Sequence, residues 1–401
     1  MDERRIEHFD VCIVGASIAG NYLAYLLSNS PLKIVILEEH EEVGIPFQCA
    51  GIISQKLSRL IDFPSEIVLN RVNTAKIVSP TGKFINLSGD EKPYIVDRIA
   101  LDRLFYEKIK DNPSVRYFFG ERYKSFNYFI SNKRKYIIVE TSLRKIKVKV
   151  LIGCDGPLSS VGTQLNVKNE ILYASQIRIK ANFDEKEAVM YFDPQWKQLF
   201  GWIVPEGDHI FRIGIAAAKD VYNSFKKYLE RLDIDINEKI DQQGGIIPYG
   251  IMNKIAFDNI LLLGDSAGQV KATTGGGIIM LLTAAKYAAK CVQLCFTNED
   301  FSKGFIKKWY EIPCSKTIGR ELKLHYFLRL ILEKFNDNDF DAFFSILKEN
   351  KIEHIITLYG DMDFPKALLI KLLRKRAVLR FVLKFLIRNP VIIFKILKLL
   401  F

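Results

Sequence analysis

The chain has 401 residues, 49% of them apolar and 12% aromatic, enough to bury sizeable cores and, at ordinary domain sizes, to form two domains with a helical tail. Its net charge of +12 is concentrated in residues 366–401, which hold ten Lys or Arg and no Asp or Glu; elsewhere 48 basic side chains face 46 acidic ones, so the body offers no basic face for nucleic acid. The six cysteines (Cys12, Cys49, Cys154, Cys291, Cys295, Cys314) make no CxxC pair and have no His at ligand spacing, so no metal is expected and reduced thiols in the cytoplasm are.

The opening MDERRIEHFD is charged and runs into a strand, so no secretory leader is expected. Residues 9–14 (FDVCIV) read as a buried strand, GASIAG at 15–20 as a tight turn, NYLAYLLSN as a helix, and KIVILEE as a second strand that ends at Glu38. Strand, turn, helix and strand in that order turn a glycine pattern into a dinucleotide fingerprint. Gly15 permits the turn, Gly20 lets helix and strand approach, and the helix start presents free N–H groups to a pyrophosphate. Ser17 stands where the middle glycine of the pattern would be, and it is small. Gly15, Ser17, Ala19 and Gly20 are therefore the expected phosphate-side residues, and Glu38 is the expected ribose acceptor.

Further along, VGIPFQCAGIIS (43–54) carries Cys49, Ala50 and Gly51, and YIVDRIALDRLFYEKI places Arg98 at a helix start. A lone cysteine is usually a small buried apolar group, and an arginine at a helix start is usually an ion-pair partner. VLIGCDGPLSSV sets Asp155 and Gly156 after a strand. The alternating runs RVNTAKIVSP, KFINLSG, EAVMYF and IFRIGIAAA read as antiparallel strands of a second sheet that would cover the cofactor. LFGWIVP contains Phe200, Trp202 and Pro205, and GGIIPYG contains Tyr249. Residues 258–290 then repeat the logic of the first motif. An apolar strand delivers Gly264 and Asp265, and Gly275, Gly276 and Gly277 open an Ala-rich helix at Ile278. Asp265 suits ribityl or ribose hydroxyls, while bare glycine backbone can approach a phosphate or a flavin ring.

From residue 364 the chain mixes large apolar residues with basic ones only. Arg376, Arg380, Lys384 and Arg388 recur every four residues, a basic stripe on an otherwise apolar helix. Charges interrupt every apolar run short of the ~20 residues a membrane span needs, so an interfacial helix broken near Asn389-Pro390 is expected, attracted to anionic lipid by roughly 1 kcal/mol per basic residue.

The ordered series of turns resembles flavoproteins of the p-hydroxybenzoate hydroxylase type. Within them it resembles the geranylgeranyl reductases, through a PxxCxxG-like segment at Cys49, a YxWxFP-like segment at Phe200, Trp202 and Pro205, and a GGxIP turn at 244–248. The resemblance covers roughly residues 9–300 and implies FAD as cofactor, Arg98, Cys49, Ala50 and Gly51 against the flavin, and Asp155 and Gly156 in the middle FAD motif. It implies an apolar substrate wall at Phe200, Trp202, Pro205 and Tyr249. The terminal Arg of the middle motif is absent, Val161 being followed by Gly162, which counts against a stable NAD(P)H site beside it; the electron donor stays open between NAD(P)H and ferredoxin. The implied reaction is saturation of geranylgeranyl C=C bonds in archaeal-type ether lipids, with Cys49 as the one candidate acid. Flavin halogenases carry WxWxIP where this chain has FGWIVP, so a flavin monooxygenase or halogenase is the alternative.

The expected fold is α/β (α+β). A Rossmann-like FAD-binding domain (1–60, 97–160, 255–300) carries an antiparallel-sheet substrate domain (61–96, 161–254) and a helical region from 301. The tail 364–401 would hold a cytoplasmic protein peripherally on a membrane.

Overall fold

The computed structural model describes residues 6–89, 91–252 and 254–400; the first five residues of the charged opening and the last residue of the tail lie outside them. Four short runs, Val11–Val14, Ile34–Leu37, Val150–Gly153 and Ile260–Leu262, are buried at every position, as strands covered on both faces must be. They form a six-stranded sheet in the order Ala256–Phe257, Ile260–Leu262, Val150–Gly153, Val11–Val14, Ile34–Leu37, Val115–Phe118, parallel except for the short edge pair. Val14 stands level with Leu37 and with Gly153, and Gly153 with Leu262, so the turns that follow all leave one edge. Ligands of open α/β sheets bind at that carboxyl edge. The helices Ile18–Leu27 and Ile278–Asn298 pack together on this sheet. The second is long and apolar enough to cross a membrane, but eleven of its side chains are buried in the core, which accounts for its composition.

A seven-stranded sheet runs Lys239–Tyr249, Glu170–Lys180, Ile210–Ala217, Gly201–Gly207, Glu187–Tyr191, Thr74–Val78, Phe84–Ser88. Alternation sorts its two faces. Phe211, Ile213 and Ile215 pack under the helix Val221–Arg231, whereas Ala216, Trp202 and Val204 face the other way. Not every pair is antiparallel: Glu187–Tyr191 runs parallel to Thr74–Val78, because these strands come from separate passes of the chain and no hairpin fixes their relative direction. A further four-stranded sheet, Glu7–His8 with Lys145–Val148, Arg134–Thr141 and Tyr123–Ser131, interrupts the segments read as nucleotide-binding.

Residues 303–332 are helical throughout, followed by Asp337–Glu349, Glu353–Tyr359, Lys366–Leu373, Arg376–Arg388 and Pro390–Leu400. These helices share a phenylalanine-rich core (Phe335, Phe340, Phe344, Phe385) into which the edge strand Phe84–Ser88 inserts Ile85. The tail helix breaks at Asn389, before Pro390. It buries Val378 and Phe385 in that core and leaves Leu379, Leu383 and Ile387 exposed.

Candidate active site

A cavity of about 1300 Å³ lies between the carboxyl edge of the parallel sheet, the seven-stranded sheet and the C-terminal helices. It exceeds the ~300–1,000 Å³ typical of a site for one small ligand. Its polar end is built from turns and its far end from apolar side chains.

At the polar end two helices begin without a side-chain cap, Ile18–Leu27 after Ser17 and Ile278–Asn298 after Gly277. Ser17, Ala19, Gly277 and Ile278 line the cavity, so uncapped N–H groups of both helices are available to anionic oxygens. Gly15 and Gly20 lie behind them. Gly15 has φ +102° and would drive a Cβ into the Cys154 carbonyl; a Cβ on Gly20 would strike the Gly15 carbonyl. Glu38 stands at the strand end, off the cavity wall, and accepts the Ala16 N–H at 2.7 Å and a bond from His40 at 2.7 Å. Asp155 also serves its own turn, accepting Ser159 Oγ at 2.6 Å and Val161 N–H at 3.1 Å, while Gly156 is on the wall with open space beside it. Gly264 packs against Ala19.

Arg98, Cys49 and Asp265 converge. Arg98 is mostly buried and pairs with Asp102 at 3.0 Å, but its Nε has no partner. Burial opposes its charge, and Asp102 and then Cys49 outweigh it, so its pKa lies above the ordinary guanidinium value. Burial pushes the Asp265 carboxyl up to about 6, with Arg98 pulling the other way. Cys49 Sγ accepts the Gly51 N–H at 3.3 Å, and Cys49, Ala50 and Gly51 all line the cavity.

The sheet above holds this loop through residues that sequence reading missed. Arg212, buried and paired with Glu206 at 2.8 Å, donates to the carbonyls of Ala50 at 3.0 Å and Val96 at 3.2 Å. Gln176 donates to the Cys49 carbonyl at 3.3 Å and accepts the Trp202 indole N–H at 2.8 Å. Trp202 in turn sits over Gly214, where a Cβ would come within 2.5 Å of the ring. The signal for Arg212 was present: one charged residue inside the apolar run IFRIGIAAA.

The glycine loop is clasped from the other side. Lys271, 5% exposed, donates to Asp363 at 2.6 Å, and Ser54 donates to the other Asp363 oxygen at 2.5 Å. Lys271, with Ser54 and less directly Lys56, holds the Asp363 carboxyl below its ordinary value against the opposing effect of burial. His325 bonds Thr273 Oγ1 at 2.5 Å and the Asp363 carbonyl at 3.1 Å, and burial, helped by Lys271, lowers it to about 4. Buried Arg329 donates to the carbonyls of Ala272 and Thr273 at 3.0 Å each and is lowered by burial to about 9. No sequence pattern pointed to His325, Arg329 or Asp363.

Of the expected substrate residues, Phe200 and Trp202 line the cavity; Pro205 and Tyr249 do not. Pro205 is buried within its strand with its carbonyl toward Asn70, and Tyr249 turns its ring against Tyr326. The apolar arm instead draws on Ile85, Phe192, Phe340, Phe344, Leu368 and Leu372, four of them from helices beyond residue 300.

Two uncapped helix starts, a cationic side chain with a free buried N–H, and bare glycine backbone along the wall fit a long anionic dinucleotide with a flat ring, and the frame is that of an FAD-dependent oxidoreductase. The chain belongs to the FAD binding domain family, which it matches over residues 8–211. It is 27% identical over 378 residues to digeranylgeranylglycerophospholipid reductase 3 of Methanosphaera stadtmanae, covering 88% of this chain and 94% of that one. It is 26% identical over 374 residues to the digeranylgeranylglycerophospholipid reductase of Methanococcus vannielii, covering 86% and 92%. Its fold matches a geranylgeranyl bacteriochlorophyll reductase-like protein of Thermoplasma acidophilum with a TM-score of 0.81 at 20% identity, over 95% of this chain and all of that one. The halogenase PltM matches more loosely, with a TM-score of 0.62 at 13% identity over 92% and 86% of the two chains. The chain is thus an FAD-dependent oxidoreductase related to geranylgeranyl lipid reductases.

Proposed function

We propose that this protein saturates C=C bonds of geranylgeranyl chains in archaeal-type ether lipids. One observation carries the reading: the cavity that begins among Arg98, Cys49 and Gly275–Gly277 continues without a wall into an arm lined by Ile85, Phe192, Phe340 and Leu372. Such an arm suits a long hydrocarbon. The reductase names of its relatives support the same choice.

When bound and reduced by two electrons from its donor, the flavin would supply the hydride. The helix starts after Ser17 and Gly277 would hold its phosphates, Asp265 a ribityl or ribose hydroxyl, and Arg98 Nε a ring acceptor. Arg212 and Gln176 fix the carbonyls of Ala50 and Cys49, so the loop presents Cys49 Sγ in one position. An isolated alkene is poorly polarised, so the wall must supply a proton for the second carbon and exclude water from the first. Cys49 is the acid we assign. Trp202 and Phe200, both on the cavity wall, would cover the reacting bond.

The tail, with ten basic residues and no acidic one, would hold the enzyme on the anionic cytoplasmic face of a membrane, with NAD(P)H or ferredoxin as electron donor. The test is anaerobic incubation of the FAD-loaded, dithionite-reduced protein with a digeranylgeranylglycerol phospholipid, followed by lipid mass spectrometry. The expected result is a ladder of products, each heavier by the mass of H2. No change in lipid mass, together with rapid substrate-dependent oxygen uptake in air, would favour the monooxygenase or halogenase reading instead.

A further inference from the structure

We infer that the apolar arm opens through a mouth at Leu358 onto the same surface that the basic tail presents to a membrane, so that a lipid chain passes from bilayer to site without crossing water. This rests on the reading of the arm as a lipid-chain site.

Leu358 lines the cavity and is nevertheless 59% exposed, an arrangement found where a wall meets its opening. Ser88 and Gly360 are likewise both wall and surface. The rim is a meeting of two elements: a Cβ placed on Gly89, just past the edge strand, would lie 3.0 Å from the carbonyl oxygen of Thr357 in the helix Glu353–Tyr359. The next helix, Lys366–Leu373, straddles the boundary. Leu368 and Leu372 face the cavity, while Ile370 and Leu373 are exposed.

Exposed apolar side chains continue from there. Leu379, Leu383 and Ile387 recur every four residues along Arg376–Arg388, and Val391 and Phe394 follow on the last helix. Among the described residues, eleven of the twenty-four large apolar side chains that are exposed lie between 358 and 397. A tenth of the chain thus carries nearly half of them, on four helices each of which contacts the next, more than the single exposed side chains that scatter over an ordinary surface. Charge identifies what covers it. Arg376, Arg380 and Lys384 lie beside the apolar stripe, and no acidic residue follows Asp363. A second copy would bring the same basic stripe against this one, whereas an anionic bilayer meets both the charge and the apolar side chains.

The experiment places a nitroxide at Leu358, at Phe394 or at Tyr222, which is 72% exposed on the helix Val221–Arg231, in the FAD-loaded full chain. Relaxation by an aqueous nickel chelate and by lipid-dissolved oxygen is then measured with phosphatidylcholine vesicles containing phosphatidylglycerol. The expected result is loss of the aqueous effect and gain of the lipid effect at Leu358 and Phe394, with neither at Tyr222. Immersion of Phe394 alone would overturn the mouth while leaving membrane docking intact. Immersion of neither would overturn both, and the mass-spectrometric assay would still stand as a separate test of the chemistry. Protection of both labels without vesicles, in a particle of doubled mass, would put a second copy on the face and overturn the inference.

Discussion

The two glycine-rich turns that face the cavity are held in opposite ways. Around residues 15–20 the support is nearby: Gly15 N–H donates to Leu37 at 2.8 Å, Ala16 N–H to Glu38 at 2.7 Å, and Gly20 rests on the Gly15 carbonyl. Around residues 271–277 it comes from afar, since Asp363, His325 and Arg329 stand 92, 52 and 57 residues from Lys271, Thr273 and Ala272. The phosphate-side turn is thus hydrogen-bonded chiefly to the strand that follows it, whereas the loop read as the ring-side wall is held by the C-terminal helical region docked on it. The same helices line the apolar arm, so the arm and the glycine loop share one support.

The comparison breaks most directly at Asp363. Asp363→Ala leaves the Lys271 ammonium buried without its partner and is expected to cost about 3–5 kcal/mol in denaturant unfolding of the full chain. Replacing both groups, Lys271→Met with Asp363→Leu, is expected to recover most of that loss, because the desolvated charge goes with its partner. A double variant as unstable as the single one would mean the pair is not what clasps the loop.

His325 tests the same support through pH. Folding lowers its pKa from 6.5 to about 4, chiefly by burial. Between those values the unfolded chain takes up a proton that the folded chain refuses, so this contribution is complete above pH 6.5 and falls by roughly 3 kcal/mol as pH drops to 4. Asp265 and Glu333, raised by burial to about 6 and about 7, act in the opposite sense over an overlapping window. The measurement is therefore the difference between wild type and His325→Gln in unfolding free energy against pH. It should narrow steadily from pH 7 to pH 4; a constant difference would mean that His325 titrates normally.

Local support is also what made the first turn readable. Four-residue runs buried on both faces and glycines at fixed offsets identify a parallel sheet with its nucleotide turn, because the strand, turn, helix and paired strand Val11–Leu37 follow one another directly in the sequence. The four-stranded sheet at 123–148 escaped because its strands are half exposed, with Phe129 and Ile130 on the surface, which blurs the alternation. His325 and Asp363 escaped for a different reason: a lone histidine or aspartate in a helical region carries no mark of a partner brought close only by the tertiary fold. Pro205 and Tyr249 erred the other way, since proximity in sequence to Trp202 and to the GGxIP turn does not decide on which side of a pleat a ring falls.

Alanine in each turn sharpens the contrast. At Gly20 a Cβ meets backbone, the Gly15 carbonyl, which cannot yield without moving the strand end; at Gly276 it meets the Lys271 side chain at 3.2–3.3 Å, which can yield. Gly20→Ala is expected to lose about 1–3 kcal/mol and Gly276→Ala clearly less, by thermal unfolding of the apoprotein. Equal losses would mean that the Lys271–Asp363 pair holds its position as stiffly as backbone does.

Cys49→Ser should perturb stability least, because Sγ accepts the Gly51 N–H at 3.3 Å and lies beside the Arg98 guanidinium, and a serine oxygen can take over both contacts. The surrounding restraints act on backbone: Arg212 holds the Ala50 carbonyl, Gln176 the Cys49 carbonyl, and both survive the substitution. Unfolding free energy is expected to stay within about 0.5 kcal/mol, with FAD content unchanged. Turnover is a different quantity. If the thiol delivers the proton, exchanging it for a far weaker acid removes a general-acid contribution of about 10²–10⁴-fold, visible in single-turnover oxidation of the reduced protein by substrate. Full turnover in the serine variant would leave Cys49 as a packing residue of the flavin-side loop and send the search for the acid to the other ionisable groups of the wall, Lys271 and Asp265 first.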